Sequence, residues 1–195
     1  MKLILASESP RRAEILRKAG FTFEVRPARI SEARLPGESP GDFVLRMALT
    51  KASAAADDEI VFDEEMYVIG ADTVVVAEGE TLGKPSGADD ARRMLRLLSG
   101  RRHGVLTGVS ILRRPEGPKA RHLESTLVEF FELSDETIDE YVSTGETLDK
   151  AVAYGIQGIG GRFVRRIEGC YFNVMGLPLS RVWASLRELG WKDSF

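Results

Sequence analysis

Hydrophobic positions along this chain switch between a two-residue and a roughly 3.6-residue period, and each switch marks an element. Lys2-Leu3-Ile4-Leu5-Ala6 reads as a buried strand, broken by the turn-formers Ser7-Glu8-Ser9-Pro10. Pro10 suits the first turn of a helix, Ser9 is a candidate N-cap, Ile15, Leu16 and Ala19 share one helical face, and Gly20 is a natural stop. Thr22–Pro27 reads as a second strand, and the polar stretch from Ala28 to Gly41 as a loop. A helix is predicted from about Asp42 to Ala56. Tyr67–Val76 is rich in β-branched residues and reads as a strand turning at Glu78-Gly79-Glu80. Ala91, Met94, Leu95 and Leu98 follow i, i+3, i+4, i+7, which predicts a helix over Ala88–Leu98 stopping at Gly100. His103–Leu112 and Ala120–Leu133 flank Pro115-Glu116-Gly117-Pro118 as a hairpin. Ser134 then caps a helix whose inner face is Ile138, Tyr141 and Val142. A glycine-rich turn, Gly155–Gly161, leads to a strand over Phe163–Val174. Leu179, Val182, Trp183, Leu186 and Leu189 mark a last helix, closed by Gly190. Alternation of strands and helices followed by a hairpin predicts an α/β fold with a mixed sheet.

Composition narrows the class. At 195 residues the chain suits one domain, or two small lobes sharing a core. Its 43% apolar and 29% charged residues make an ordinary globular balance and exclude a disordered chain. A net charge of -3 argues against a general binder of nucleic-acid polymers, which needs a basic surplus. No apolar run approaches the ~20 residues that cross a bilayer, and Met1–Ala6 is too short for a signal segment. One cysteine, Cys170, excludes an intramolecular disulfide, and with only two histidines it excludes a His/Cys zinc cage. The expectation is a cytoplasmic enzyme with no membrane partner.

Candidate chemistry gathers in the N-terminal half. Gly79-Glu80-Thr81-Leu82-Gly83-Lys84-Pro85 is one residue short of a P-loop and has Pro where Ser or Thr must hold Mg²⁺. The Gly155–Gly161 run does not fit a dinucleotide-binding spacing. His103 and His122 have no partner at zinc or triad spacing and read as strand polar residues. Ser7-Glu8-Ser9-Pro10-Arg11-Arg12 joins a strand to a helix start, where backbone N–H groups, hydroxyls and guanidinium groups together suit a phosphate. The other reading of that segment is a capped helix with two solvated arginines. Asp72 interrupts a buried strand, which is costly unless it binds a metal, pairs with a cation, serves as a base or caps a turn at the strand's end. Lys51 falls i+7 from Val44 on the inward helix face, so it either snorkels past the edge or meets an anion. Lys84 in its turn and Glu32 in its loop are either solvated or part of the same constellation. Cations beside carboxylates suit a polyphosphate when a divalent metal lies between them.

Six ordered segments resemble the Maf family of nucleoside triphosphate pyrophosphatases. They are Leu5–Arg12, Gly70–Val75, Gly83-Lys84-Pro85, Ser99–His103, Leu148–Gly158 and Asn173–Leu179, and the resemblance as a whole runs from residue 3 to about 186. The resemblance implies a single domain over 1–195, an elongated mixed sheet flanked by helices, and two lobes around a deep cleft, similar to the inosine triphosphate pyrophosphatases. It implies hydrolysis of a nucleoside triphosphate to the monophosphate and pyrophosphate with Mg²⁺ or Mn²⁺, and a homodimer. Asp72 matches the family's general base; Ser7, Arg12, Lys51 and Lys84 match substrate-binding positions, with Glu32 and Asp72 toward the metal. Arg11, Thr73 and Gln157 match positions that separate substrate subgroups, and Tyr154-Gly155-Ile156-Gln157-Gly158 resembles the dTTP/UTP-preferring branch. An amide both donates and accepts, as the donor–acceptor edge of uracil or thymine requires; the other reading of Gln157 is a residue that holds its glycine-rich loop together. Two departures stand out: Val152 replaces the usual Gly, and Ser31 precedes Glu32 where the family often has Asp. The alternative function is a nucleotide-binding regulator of cell division without turnover, which has no use for Asp72, Lys51 and Lys84 together.

Overall fold

The computed structural model describes residues 1–57, 65–115, 117, 119–149 and 152–192. Parts of the predicted hairpin turn (Glu116, Pro118) and of one family segment (Lys150, Ala151) lie outside the described residues. In chain order the elements are β1 (Lys2–Ala6), α1 (Pro10–Lys18), β2 (Glu24–Val25), α2 (Pro40–Asp57), β3 (Met66–Ala77), β4 (Glu80–Leu82), α3 (Ala88–Leu98), β5 (Arg102–Arg114), β6 (Lys119–Phe130) and α4 (Asp135–Ser143). Two 3₁₀ turns (Glu146–Asp149 and Ile159–Phe163), β7 (Val164–Glu168), α5 (Tyr171–Val174) and α6 (Leu179–Glu188) complete the set. Seven strands form one mixed sheet in the order β2-β1-β3-β5-β6-β7, with β4 paired to β3. β1 lies parallel to both β2 and β3, whereas the β3–β4 and β6–β7 pairs are antiparallel. The α/β class and mixed sheet expected from the sequence are what the chain adopts.

Two compact units divide the chain. The first comprises residues 1–72, 107–124 and 176–195, and the second 73–106 and 125–175. In the first, Ile4, Ala6, Ala52, Ala55, Val68 and Leu112 are among the residues of one apolar cluster. Ala48, Ala52, Ala55 and Ala56 share the buried face of α2 with Phe43, Val44, Met47 and Lys51, and the helix lies close to the sheet. A Cβ on Gly70 of β3 would stand 2.0 Å from the Ala48 carbonyl oxygen, and one on Gly108 of β5 would stand 2.3 Å from that of Val44. Real side chains never approach backbone so closely, so glycine at both places admits the helix. In the second unit α3 presents Ala91, Met94, Leu95 and Leu98 to a core shared with Phe130, Ile138, Tyr141, Tyr154 and Phe163. The Ser134 hydroxyl accepts from the Thr137 N–H at 3.2 Å, the cap its position predicts.

Four sequence expectations are corrected. Thr22–Pro27 supplies only the two-residue β2, and the Phe163–Val174 strand stops at Glu168, after which α5 forms. Gly169, at φ 124, interrupts the extended run. Trp183 is 45% exposed and lies near the guanidinium of Arg187 rather than in the core; Ser185 takes the buried position. Ser9 stands at the N-cap of α1 but its side chain makes no capping bond.

Candidate functional site

Ser7, Arg12, Lys51 and Asp72 are all buried, at 5–8% exposure, and all belong to the first unit. Few soluble chains bury ionic groups so thoroughly without pairing them. The pairing is explicit here. Lys51 Nζ stands 2.6 Å from Asp72 Oδ1 and 2.7 Å from Glu32 Oε1, so one ammonium holds two carboxylates. Asp72 lies within β3 rather than at its end, which removes the turn-capping reading. Lys51 meets an anion rather than snorkelling.

Local geometry explains the meeting. Along β3, Asp72 follows Gly70 by two residues and therefore faces the same side. Along α2, Lys51 follows Ala48 by three residues and returns to the same face. The contact of Gly70 with Ala48 thus sets the next pair, Asp72 with Lys51, at hydrogen-bond distance. Glu32 reaches the same ammonium from the loop preceding α2, where it is over half exposed.

The junction of β1 and α1 is organised by Arg12. Its Nε donates to the Gly176 carbonyl at 2.7 Å, and its Nη1 donates to Ser7 Oγ at 3.0 Å. Ser7 Oγ also accepts from the Ser9 N–H at 3.3 Å. Arg12 is therefore not a solvated helix arginine. Burial pulls its guanidinium below the ordinary value; Asp72 and Glu32 oppose that pull, while neighbouring Arg11 adds to it. Arg12, Arg11, Asp72 and Glu32 thus share one electrostatic field.

Thr73, Lys84 and Gln157 belong to the second unit. Thr73 follows Asp72 on β3 and is half-buried; Lys84 is exposed in the segment between β4 and α3. Gln157 is exposed on the turn before the second 3₁₀ segment. Behind that turn, Tyr154 and His103 are buried and joined at 2.9 Å between the hydroxyl and Nε2. Burial lowers the His103 imidazole to about 4, which keeps it neutral as the strand-residue reading requires. Burial likewise raises the Tyr154 phenol. Glu146, which sequence reasoning missed, bonds this turn through both carboxylate oxygens. Its only sequence signal was a carboxylate shortly before a glycine-rich run.

The donor set fits a hard divalent cation. Glu32 and Asp72 present carboxylate oxygens to one point, at present filled by the Lys51 ammonium. Among the described residues no group of three His, Cys, Asp or Glu side chains gathers into a full cage. A cation held here would therefore complete its shell with water and phosphate oxygens, the habit of Mg²⁺ rather than of a structural metal.

Comparison with known proteins completes the picture. A dTTP/UTP pyrophosphatase of Anaeromyxobacter dehalogenans strain 2CP-1 is 51% identical over 191 residues, covering 97% of this chain and 94% of its own. Proteins of the same name from Koribacter versatilis and Geobacillus sp. are 48% and 49% identical, each covering 97% of this chain and 95% and 99% of theirs. A solved nucleoside-triphosphatase / dITP/XTP pyrophosphatase from Mycobacterium abscessus aligns over 96% of this chain and 94% of its own, at 14% identity and a TM-score of 0.44. Residues 2–189 match the Maf-like protein family, and with half of all positions shared with such relatives this chain belongs to the Maf family.

Proposed function

We propose that this protein is a nucleoside triphosphate pyrophosphatase acting on dTTP and UTP, with Mg²⁺ or Mn²⁺ held by Glu32 and Asp72. The observation that carries the reading is the buried ammonium of Lys51 between those two carboxylates, in the unit that also buries Arg12 and Ser7. A site built only to stabilise the fold gains little from so many desolvated charges, whereas a triphosphate needs them. The name shared by relatives at about half identity supports the base choice.

The reaction is attack of water on the α-phosphorus. A new P–O bond forms there, the bond to the bridging oxygen of the β-phosphate breaks, and its electron pair leaves with pyrophosphate. Asp72 orients the water and accepts its proton. With Glu32 and Asp72 holding the ion, the Lys51 ammonium, which fills their shared point in this structure, would turn its N–H donors to a phosphate oxygen. Ser7 and Arg12, at the start of α1, bind phosphate oxygens as anions are bound at helix starts. When bound, the divalent ion supplies charge neutralisation to the phosphates. Lys84 contributes a further phosphate contact, while Arg11, Thr73 and Gln157 select the nucleotide. A homodimer in the cytoplasm, clearing pyrimidine triphosphates including modified ones, is the family's setting and is proposed here. Among the described residues no helix is long and apolar enough to cross a membrane.

The test is product analysis over a panel of pyrimidine and purine triphosphates, with Mg²⁺, with Mn²⁺ and after EDTA. Pyrophosphate from dTTP and UTP, abolished by EDTA, is expected. Orthophosphate as the primary product, or full activity in EDTA, overturns the chemistry. Tight nucleotide binding without turnover would favour the regulator.

A further inference from the structure

The glycine-rich turn closes round a single carboxylate. Glu146 Oε2 accepts from the Ile159 N–H at 2.8 Å, and its Oε1 accepts from the Gly160 N–H at 3.4 Å and from the Tyr141 hydroxyl at 3.0 Å. The approach depends on glycine. A Cβ on Gly158 would lie 2.4 Å from Glu146 Oε1, and one on Gly160 would lie 2.6 Å from the Tyr141 hydroxyl oxygen. Gly158 has φ -106, a conformation open to other residues, so what excludes a side chain there is the Glu146 carboxylate and not the backbone. Gln157 immediately precedes Gly158 and stands exposed. On its other side the chain is anchored by buried Tyr154, bonded to His103.

We infer that Glu146 is a positioning residue for nucleotide selection, clamping the turn so that the Gln157 side chain is presented from one fixed place. The inference rests on the proposed role of Gln157 in reading the pyrimidine. An amide on a free turn can shift to make a good contact with either cytosine or uracil; a clamped turn fixes the distance and approach, so that only one base edge is met well. Glutamate suits the task because its two oxygens accept from two successive backbone N–H groups. Glutamine would turn an NH2 toward one of them.

The experiment compares kcat/KM for UTP and CTP in the wild type, Gln157→Ala, Glu146→Gln, Gly158→Ala and the double variant Glu146→Gln/Gln157→Ala. Glu146→Gln and Gly158→Ala should each lower the UTP-to-CTP ratio about tenfold, with KM for UTP changing more than kcat. Gly158→Ala guards against a folding failure, since its Cβ meets the far end of a flexible side chain, which moves aside and releases the clamp. The double variant should be no less selective than Gln157→Ala alone, because Glu146 acts through Gln157. If Gln157→Ala loses selectivity while folded Glu146→Gln and Gly158→Ala keep it, or if the double variant's losses multiply, the positioning role is overturned and the reading of Gln157 stands. An unchanged ratio in Gln157→Ala overturns that reading and the inference with it.

Discussion

Asp72, the general base proposed above, is a residue that a fold built for stability alone would not place inside a strand. A carboxylate inside a strand is tolerated because Lys51 neutralises it at 2.6 Å. Replacing it by Asn keeps the shape but removes the charge and the proton acceptor. Single-turnover hydrolysis of dTTP by Asp72→Asn should slow by at least ~10²-fold, the usual span for a general base. Affinity for the triphosphate without metal should hold or rise, since a repelling charge is gone while Arg12 and Lys51 remain. The variant leaves Lys51 with Glu32 as its carboxylate, so a stability loss of about 1–3 kcal/mol is expected, visible in the melting temperature. Near-normal turnover in folded Asp72→Asn would remove the residue from the chemistry. Loss of metal-free binding together with turnover would make it a structural partner of Lys51.

For the elements, the decisive contact is α2 on β3 and β5. Glycine at 70 and 108 lets the helix backbone reach the sheet, and that approach carries Lys51 to Asp72. Neither obstructing atom is the end of a flexible chain. Both are backbone carbonyls of a helix, which cannot yield without moving the whole element. Gly70→Ala should therefore destabilise the protein by about 3 kcal/mol or more in urea unfolding, at the upper end of overpacking effects. Its hydrolytic rate should fall even under conditions where the variant is fully folded, because the Lys51–Asp72 pair is prised apart. An unaltered urea midpoint would show that α2 can withdraw freely. In that case the close approach would not be what positions the pair.

At the scale of the whole molecule, stability should carry the mark of a single buried imidazole. Between pH 6.5, the ordinary histidine value, and about 4, the unfolded chain binds a proton at His103 that the folded chain refuses. Unfolding free energy should thus rise with pH across that window, at most ~1.4 kcal/mol per pH unit, and level off above it. Protonation is refused because the ring is buried, and among the described residues Nδ1 has no hydrogen-bond partner to meet a charge. Glu38, held at about 2 by hydrogen bonds from Arg46, begins to act about one pH unit above its ordinary 4.5, as do Glu14 and Glu24, so the histidine leads between pH 6.5 and about 5.5. Denaturant titrations of wild type and His103→Phe across that interval should differ in slope; parallel curves would refute the assignment. Periodicity alone determined α3, whose bounds and inner face are as its spacing predicts, because an amphipathic helix writes its buried stripe into local order. The ordered segments determined the family in the same way. Local order could not limit β2 to Glu24–Val25 or turn Trp183 outward, since both depend on which surfaces neighbouring elements cover. Nor could it join Glu32, Lys51 and Asp72, or wrap Gly158 and Gly160 round Glu146. A buried charge announces in sequence that it needs a partner, but the partner is chosen by how closely two backbones pack, and only the tertiary structure decides that.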